Sequence, residues 1–424
     1  MTPLERARAR MRALGLWSPR QQMGRRWSMG CVALEVTQRC NLDCTACYLS
    51  ESSEALHDLP LEEILRRIAE IRAWYGPGTD VQITGGDPTL RVPRELEEIV
   101  SRIREADLRS TLLTNGIRAS RALLDRLAHA GLEGVAFHVD TTQQRKGYRS
   151  EAALDALREE YLERARGLPL AVYFNTTVHE GNLHEVASLA RFFVRRSDVV
   201  GFASFQLHVA TGRGVMGPRA AAVSMARVIE AIQRGAGANL NFDAIDVGHH
   251  RCNRYALSLV SNGSAYDLLD DAALVAELLQ ATAATRLDRS RPWRAARSFA
   301  AALARHPRTL CRGLAWALRK AWAMRRDLAA AGGKVRKLSF FVHDFMHACD
   351  LDPERIEACS LMVASAEGPV SMCAHNARRD DYLLQPAALR GGYWDPVGGS
   401  VHALPVVHPV RLTRKYARGR ARLA

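Results

Sequence analysis

Long apolar runs are missing from this chain: no stretch of eighteen apolar residues occurs among its 424, so no segment is expected to span a membrane as a helix. Cysteine is too sparse and too clustered for a disulfide framework, with nine residues grouped near 31–47 and again between 252 and 373. No charged segment followed by an apolar core opens the chain, and a reducing cytoplasm is the expected compartment. No Ser/His/Asp or paired-carboxylate arrangement stands out, which leaves hydrolytic chemistry without visible machinery. Acidic residues are scarcest where basic ones concentrate. Between Arg286 and Lys337 fifteen Lys or Arg face only Asp288 and Asp327, a local +13 within a whole-chain formal charge of +14. Seven arginines against Glu5 precede residue 30, and six Lys or Arg follow Val410 with no acid, so both ends read as basic arms.

Hydrophobic residues make up 47% of the chain, enough for two or three domains and a large core. The most informative stretch is Cys40 to Tyr48, CNLDCTACY, which sets Cys40, Cys44 and Cys47 in a C-x3-C-x2-C run just after the strand-like segment Cys31 to Val36. Structural zinc and ordinary iron–sulfur clusters take four protein ligands. Three closely spaced thiolates therefore suggest a cluster with one iron left open; a zinc knuckle or three reduced structural cysteines is the alternative. About forty residues on, the strand Val81 to Thr84 runs into Gly85-Gly86-Asp87-Pro88. Glycine there permits a turn whose backbone comes close to a ligand, although GGDP alone is an ordinary turn.

Together these two motifs resemble the cluster loop and the GGEP motif of the radical S-adenosylmethionine (radical SAM) enzymes. The resemblance implies that Cys40, Cys44 and Cys47 hold a [4Fe-4S] cluster, whose open iron chelates S-adenosylmethionine, with Gly85, Gly86, Asp87 and Pro88 at its amino group. Two departures are visible: Ala46 stands where the family has an aromatic residue, with Tyr48 following, and Asp87 replaces Glu. The implied reaction is reductive cleavage of S-adenosylmethionine to a 5′-deoxyadenosyl radical, which removes hydrogen from an unactivated carbon. An electron donor such as flavodoxin or ferredoxin is the implied partner.

From Cys31 onward strand, loop and helix alternate, the sign of an α/β domain with a parallel sheet. The first helix after the cysteine loop, Leu61 to Trp74, carries Leu61, Ile64, Leu65, Ile68 and Ile71 on one face. Further strands are expected at Thr111 to Thr114, Val135 to Val139, Leu170 to Thr177 and Phe202 to Leu207, and the helix Ser224 to Arg234 closes the unit. The fold expected by resemblance is a partial (βα)6 radical SAM barrel over 31–235. Polar residues at the carboxyl ends of parallel strands face one rim. Asn115, Asp140, Asn175 and Gln206 are accordingly candidates for holding the cofactor, with strand-end caps as the plain alternative, and His138 and Ser204 lie beside them. Gly212, Gly214 and Gly217 spell a formal G-x-G-x-x-G, but Pro218 follows at once and no ribose-binding acid is evident, so a dinucleotide fold is rejected.

Residues 1–30 read as a basic lead-in, 236–410 as an α-rich second domain with a basic helical insertion near 286–337, and 411–424 as a basic tail. Asn239 to Val247 reads as a short strand. Cys252, Cys359 and Cys373, with Cys349 as fourth ligand and Cys311 a distant substitute, suit the auxiliary [4Fe-4S] cluster that radical SAM enzymes often carry. Cys/His zinc sites using His375 or His249 compete with it, and Cys31 reads as packing. The later residues His343, Phe345, Met346, Arg355, Cys359, Gly368, Cys373 and Asn376 resemble the subgroup containing archaeal tetraether synthase and a methyl-transferring pterin-modifying relative; the second metal site that larger members carry in a cysteine-rich amino-terminal extension is not expected here. That resemblance implies C–C bond formation or methylation on a hydrophobic, lipid-like substrate; a small polar molecule or a ribosomal peptide is the alternative within the family. Leu310 to Leu328 places Leu310, Leu314, Leu318 and Trp322 at four-residue spacing, with Arg312, Arg319 and Arg326 on another stripe. Such a helix suits an anionic membrane surface. It would also serve a nucleic-acid backbone, the partner of a non-catalytic metal-binding alternative, or simply cover the barrel with a solvated basic face.

Overall fold

The computed structural model describes residues 1–213, 223–285 and 292–403. Gly214, Gly217, Arg286 to Arg291 and the basic tail 411–424 lie outside the described residues. Six strands, β1 (Cys31–Thr37), β2 (Asp80–Gly85), β3 (Arg109–Thr114), β4 (Gly134–His138), β5 (Ala171–Val178) and β6 (Val200–Leu207), pair in chain order, all parallel. Helices connect them: after α1 (Pro3–Ala13) in the lead-in come α2 (Leu61–Tyr75), α3 (Pro93–Glu105), α4 (Arg121–Ala130), α5 (Glu151–Ala165), α6 (Val186–Arg195) and α7 (Met225–Ala236). The alternation in β1 shows why the sheet needs two different faces. Val32, Leu34 and Val36 are fully buried in the core, where Ile64, Ile68 and Ile71 of α2 join the same apolar cluster. Cys31, Ala33 and Glu35 point the other way, into a cavity. Serines 120, 150 and 224 accept from the first-turn amides of α4, α5 and α7, marking where each helix starts.

The residues after 235 enlarge this sheet. β7 (Asn253–Ser261), β8 (Ser264–Asp267), β9 (Arg336–His343), β10 (Leu361–Ser365) and β11 (Gly368–Ser371) give the order β11-β10-β1-β2-β3-β4-β5-β6-β9-β7-β8. β9 is parallel to β6 and β10 is parallel to β1, so eight parallel strands are bordered by antiparallel β11 on one side and β7–β8 on the other. The position near 235 thus marks a change in connectivity within one sheet. The α-rich character expected beyond it is concentrated in α8 (Ala272–Ala281), α9 (Pro292–Ala304) and α10 (Pro307–Ala330). The short helices α11 (Pro353–Glu357), α12 (Met372–Ala377) and α13 (Arg379–Leu383) and a meander of β12 (Ala387–Leu389), β13 (Gly392–Asp395) and β14 (Ser400–Ala403) follow.

One expected strand is absent. Asn239 to Val247 is irregular, with a single bridge from Asp246 to Gln21. Its polar side chains satisfy the backbone locally: Asn241 Oδ1 accepts from the Asp243 amide at 2.9 Å, and Asp267 accepts from the Asn241 amide at 3.0 Å. Side chains that close such turns compete with ladder pairing. No helix among the described residues is long and apolar enough to cross a membrane.

Candidate active site

The inward faces of the strands enclose a cavity of about 1810 Å³. It begins at Cys40, Cys44 and Cys47 and continues along the sheet to Trp27 and Tyr75 at the opposite end. Small inward side chains, Ala33, Thr111, Ala136, Ser204 and Ser339, leave the lumen open. On the β5–β6–β9–β7 side an aromatic wall lines it. Tyr173 meets Phe202 at 5.5 Å, Phe202 meets Phe341 at 5.8 Å, and Tyr255 meets Phe341 at 5.8 Å between ring centres.

The cysteine loop is fixed from several directions. The Thr45 amide donates to the Thr142 carbonyl at 2.9 Å, tying the loop to the end of β4. The Arg213 amide donates to the Leu49 carbonyl at 2.9 Å and to that of Cys47 at 3.2 Å, from the segment after β6. Gly212, at φ +56°, packs so closely that a Cβ there would lie 2.4 Å from the Tyr48 carbonyl carbon. Tyr48, displaced by one residue from the expected aromatic position, donates through its hydroxyl to the Gly85 carbonyl at 2.5 Å. The glycine pair allows the loop to lie against the sheet end. A Cβ on Gly85 would be 1.9 Å from the Thr37 oxygen, and one on Gly86 2.0 Å from the Arg39 oxygen.

The donor set suits a cationic cluster. Burial, then the neighbouring Cys47, Asp140 and Cys40 charges, push the Cys44 thiol up to about 12. Burial also raises Cys40 and Cys47. Three crowded thiols that resist ionisation alone become thiolates when a metal centre supplies the opposing charge. Asn115 Nδ2 points at Cys40 Sγ from 3.9 Å and donates to Asn41 Oδ1 at 2.6 Å, the kind of outer contact that orients a ligand.

The two carboxylates expected at the cofactor are both enclosed by hydrogen bonds from their neighbours. Asp87 has no exposed surface; its oxygens accept from the Thr89 and Asn115 amides at 2.9 Å and from the Thr89 and Thr114 hydroxyls at 2.5 and 2.9 Å. Asp140 is equally enclosed. It accepts from the Thr142 amide at 3.0 Å, the Thr177 amide at 2.7 Å and His138 Nε2 at 2.7 Å. Neither carboxylate lines the cavity, and both act on neighbours that do. His138 lines the cavity, with 34% of its side chain exposed. Burial works against its protonated form, but the adjacent Asp140 outweighs it and raises the pKa, while the imidazole holds the buried Asp140 below the usual carboxylate range. Asn175 and Gln206 line the cavity with no side-chain hydrogen bond among the described residues, and Pro88 starts the short turn beyond Asp87 without lining it.

The second cysteine group divides. Cys252, Cys359 and Cys373 are close enough for their charges to act on one another. Burial first, and then Cys373, push Cys359 up to about 12; burial raises Cys373 to about 11. Arg355 donates to Cys252 Sγ at 3.2 Å and the Met346 amide to Cys373 Sγ at 3.4 Å. Cys349 and Cys311 are exposed, whereas Cys31 is buried in β1. Among the described residues no three His, Cys, Asp or Glu side chains converge on a single-ion site. His249 faces Glu354 at 3.5 Å, and His375 stacks on Tyr382 at 5.1 Å. His343 is held by a 2.9 Å hydrogen bond between its Nδ1 and Asn253 Oδ1, stacked between Phe341 and Phe345; burial lowers its pKa to about 3.

Sequence reasoning passed over Arg379 and Glu35. Arg379 donates to Glu35 Oε2 at 2.6 Å and to Gln38 Oε1 at 2.9 Å, and its guanidinium lies 4.9 Å from the Tyr48 ring centre. The signal available was Glu35 itself, a lone acid inside an otherwise uncharged strand, which demands a cation from elsewhere in the chain.

Residues 34–193 match the model of the Radical SAM superfamily. Among curated proteins, the chain is 28% identical over 186 residues to 7,8-dihydro-6-hydroxymethylpterin dimethyltransferase of Methanocaldococcus jannaschii, covering 42% of this chain and 36% of that protein. It is 33% identical over 162 residues to a probable GTP 3′,8-cyclase of Pyrococcus abyssi, covering 38% and 51%. The PqqA peptide cyclase of a Methylobacterium species is 29% identical over 167 residues, covering 38% and 42%. The chain thus spans roughly a third to a half of the length of these relatives. Among solved structures, SuiB of Streptococcus suis bound to its precursor peptide SuiA aligns with a TM-score of 0.39 at 15% identity, over 56% of this chain and 51% of that one.

Proposed function

The chain is a member of the radical SAM superfamily through residues 34–193, and on that footing we propose that it is an enzyme acting on an elongated hydrophobic substrate held in the sheet lumen. Bound at Cys40, Cys44 and Cys47, a [4Fe-4S] cluster with S-adenosylmethionine supplies a radical able to remove hydrogen from a carbon with no acidic proton. Gly85, Gly86 and Asn115 position that end of the cavity, and Asn175, Gln206 and His138 offer polar contacts around it.

The observation that carries the substrate class is the cavity itself. Its volume of about 1810 Å³ takes in the Cys40, Cys44 and Cys47 end, where the cluster and S-adenosylmethionine would sit, and extends beyond it. It runs the length of the strands and is walled by Tyr173, Phe202, Tyr255 and Phe341, a shape and chemistry suited to an acyl or isoprenoid chain. C–C bond formation or methylation is the proposed outcome, and a peripheral membrane is the proposed source of such a substrate. Cys252, Cys359 and Cys373, with Cys349, are proposed to hold an auxiliary [4Fe-4S] cluster, and a flavodoxin- or ferredoxin-like protein to supply electrons.

Iron and acid-labile sulfide after anaerobic reconstitution test the metal assignment. About eight irons per chain are expected, falling to about four in a Cys40/Cys44/Cys47→Ala variant; zinc without sulfide would overturn the proposal. Incubation with S-adenosylmethionine, a reductant and either a long-chain lipid or a short soluble analogue tests the substrate. Product from the lipid alone supports the lumen assignment, and product from the short analogue alone refutes it.

A further inference from the structure

The 24-residue helix α10 sits on the molecule with its apolar stripe facing outward. Of its residues only Thr309 and Met324 are buried, and these lie on the side that packs against α8 and the β7–β8 hairpin. Arg312 pairs with Glu277 of α8, Trp316 Nε1 donates to Asp270 at 2.7 Å, and Tyr266 donates to Asp327 at 2.6 Å, which fixes the rotation of the helix. At 100° per residue, the opposite face carries Leu314, Leu318 and Trp322. Their exposures are 56%, 73% and 70%, and Trp293 at the start of α9 is 60% exposed. A solvated helix turns such residues inward; here they are turned away from the core although Thr309 and Lys320 occupy the inner side.

The surroundings of this stripe identify its partner. Arg308, Arg319 and Arg326 follow one edge of the stripe at helical spacing, and Arg325 lies within it, its guanidinium 4.4 Å from the Trp322 ring centre. Arg308, Arg325 and Arg326 have no carboxylate partner among the described residues, and Arg319 reaches Asp270 only at 3.8 Å. No Asp or Glu lies on the outward face, since Asp327, the sole acid of the helix, is held by Tyr266 on the inner one. A second copy of the chain would bring an equally basic surface against this one. A nucleic-acid backbone would answer the arginines but leave the leucines unpaired. Anionic phospholipid answers both: headgroups meet the guanidinium groups while Leu314, Leu318 and Trp322 enter the acyl boundary, with tryptophan at its preferred depth.

We propose that the outward face of α10 is a docking surface for an anionic lipid membrane. The surface is connected to the lumen through Leu279 of α8 and through Ala283 and Ala284 in the turn after it, which line the end of the cavity remote from the cysteine loop. Docking does not depend on the proposed reaction, because the helix holds none of the seven cysteines proposed as cluster ligands, its one cysteine, Cys311, standing outside both sets.

Co-sedimentation of the full chain with vesicles tests this directly, using phosphatidylcholine alone and phosphatidylcholine with about one third phosphatidylglycerol. Binding is expected only to the anionic vesicles, weakening as salt rises from low to physiological strength and beyond. Trp322 fluorescence should be quenched by brominated acyl chains. Replacing Leu314, Leu318 and Trp322 together with Ser should abolish binding, and changing Arg308, Arg319 and Arg326 to Gln should weaken it by roughly a hundredfold. Both variants keep the packed face intact, so circular dichroism and S-adenosylmethionine cleavage are expected to match the wild type. Wild-type protein left in the supernatant with anionic vesicles at low salt would overturn the proposal. So would undiminished binding by both variants, a dimer that dissociates on the Leu314/Leu318/Trp322→Ser change, or preferential binding of duplex DNA by the same face.

Discussion

A methyl group added at Gly86 would lie 2.0 Å from the Arg39 carbonyl oxygen, immediately before the first cysteine, and neither backbone segment can move without disturbing the sheet end. Gly86→Ala is therefore expected to lower bound iron to less than half the wild-type amount after reconstitution and to reduce the melting temperature. Gly313→Ala is the control: it sits inside α10 with nothing within 4 Å of the added carbon, and should stabilise the helix by about 0.5–1 kcal/mol without touching iron content. His138 and Asp140 give a second test at this scale. His138 is raised, so its stabilising contribution is complete below the unfolded value of about 6.5 and is lost as pH climbs through the folded one. Asp140 is lowered, so its contribution is present above about 3.9 and disappears as pH falls. The stability difference between wild type and His138→Gln should be largest between these limits, measured by urea unfolding across pH. A flat difference from pH 4 to 9 would sink the pairing. In the sequence the chemical type of these residues was legible, but their orientation was not. At these strand ends a carboxylate can turn back onto its own loop, and hydrogen bonds from residues two positions on fix the orientation of Asp87 and Asp140.

At the scale of elements, the periodicities that place β1 to β6 and their helices act over short spans, and for that reason they were readable: a strand with Val32, Leu34 and Val36 on one side forms wherever a sheet will accept it. β9 and β10 were not readable as neighbours of β6 and β1, because pairing across more than 130 and 320 residues respectively leaves no local trace. The late segment is joined to the first strand by the β1–β10 ladder and, beyond it, by the Glu35–Arg379 pair. Burial opposes the Glu35 charge, but Arg379 and the Gln38 amide reverse this and hold its pKa at about 2. Its contribution is thus present above the ordinary glutamate value near 4.3 and is lost only as pH approaches 2. Arg379→Ala leaves a buried carboxylate alone and should cost about 3–5 kcal/mol. Replacing both partners by Met should recover much of that loss, because two apolar groups of similar volume leave no uncompensated charge. Chemical denaturation of the two variants measures the difference; equal stability would show that the pair does not couple β1 to the region after residue 371. Since Arg379 also lies over Tyr48, the single variant should release the cysteine loop and lower iron content in parallel with stability.

For the molecule as a whole, the question is why a sheet of eight parallel strands leaves its interior open. Parallel barrels ordinarily fill that space with branched side chains in layers, and here the middle of the lumen is lined by Ala33, Thr111, Ala136, Ser204 and Ser339. Ser204 is the most telling of them. It is buried, its hydroxyl has no hydrogen-bond partner among the described residues, and it sits between Asn175 on β5 and Phe341 on β9. Replacing it removes no protein hydrogen bond, so Ser204→Phe tests the volume of the lumen with little loss of polar contacts. The larger ring would project into the middle of the cavity, leaving the cysteine loop at one end unchanged. If an extended substrate threads this space, cleavage of S-adenosylmethionine should continue within about twofold, while product from a long-chain substrate falls by more than tenfold, because the transition state loses its bound geometry. A short substrate that occupies only the cysteine end would be turned over as before. Should the long-chain reaction survive Ser204→Phe with iron content and melting temperature unchanged, the substrate does not pass through the lumen. The small residues along it would then be structural, and the reacting carbon would have to reach the cysteine loop from the open rim.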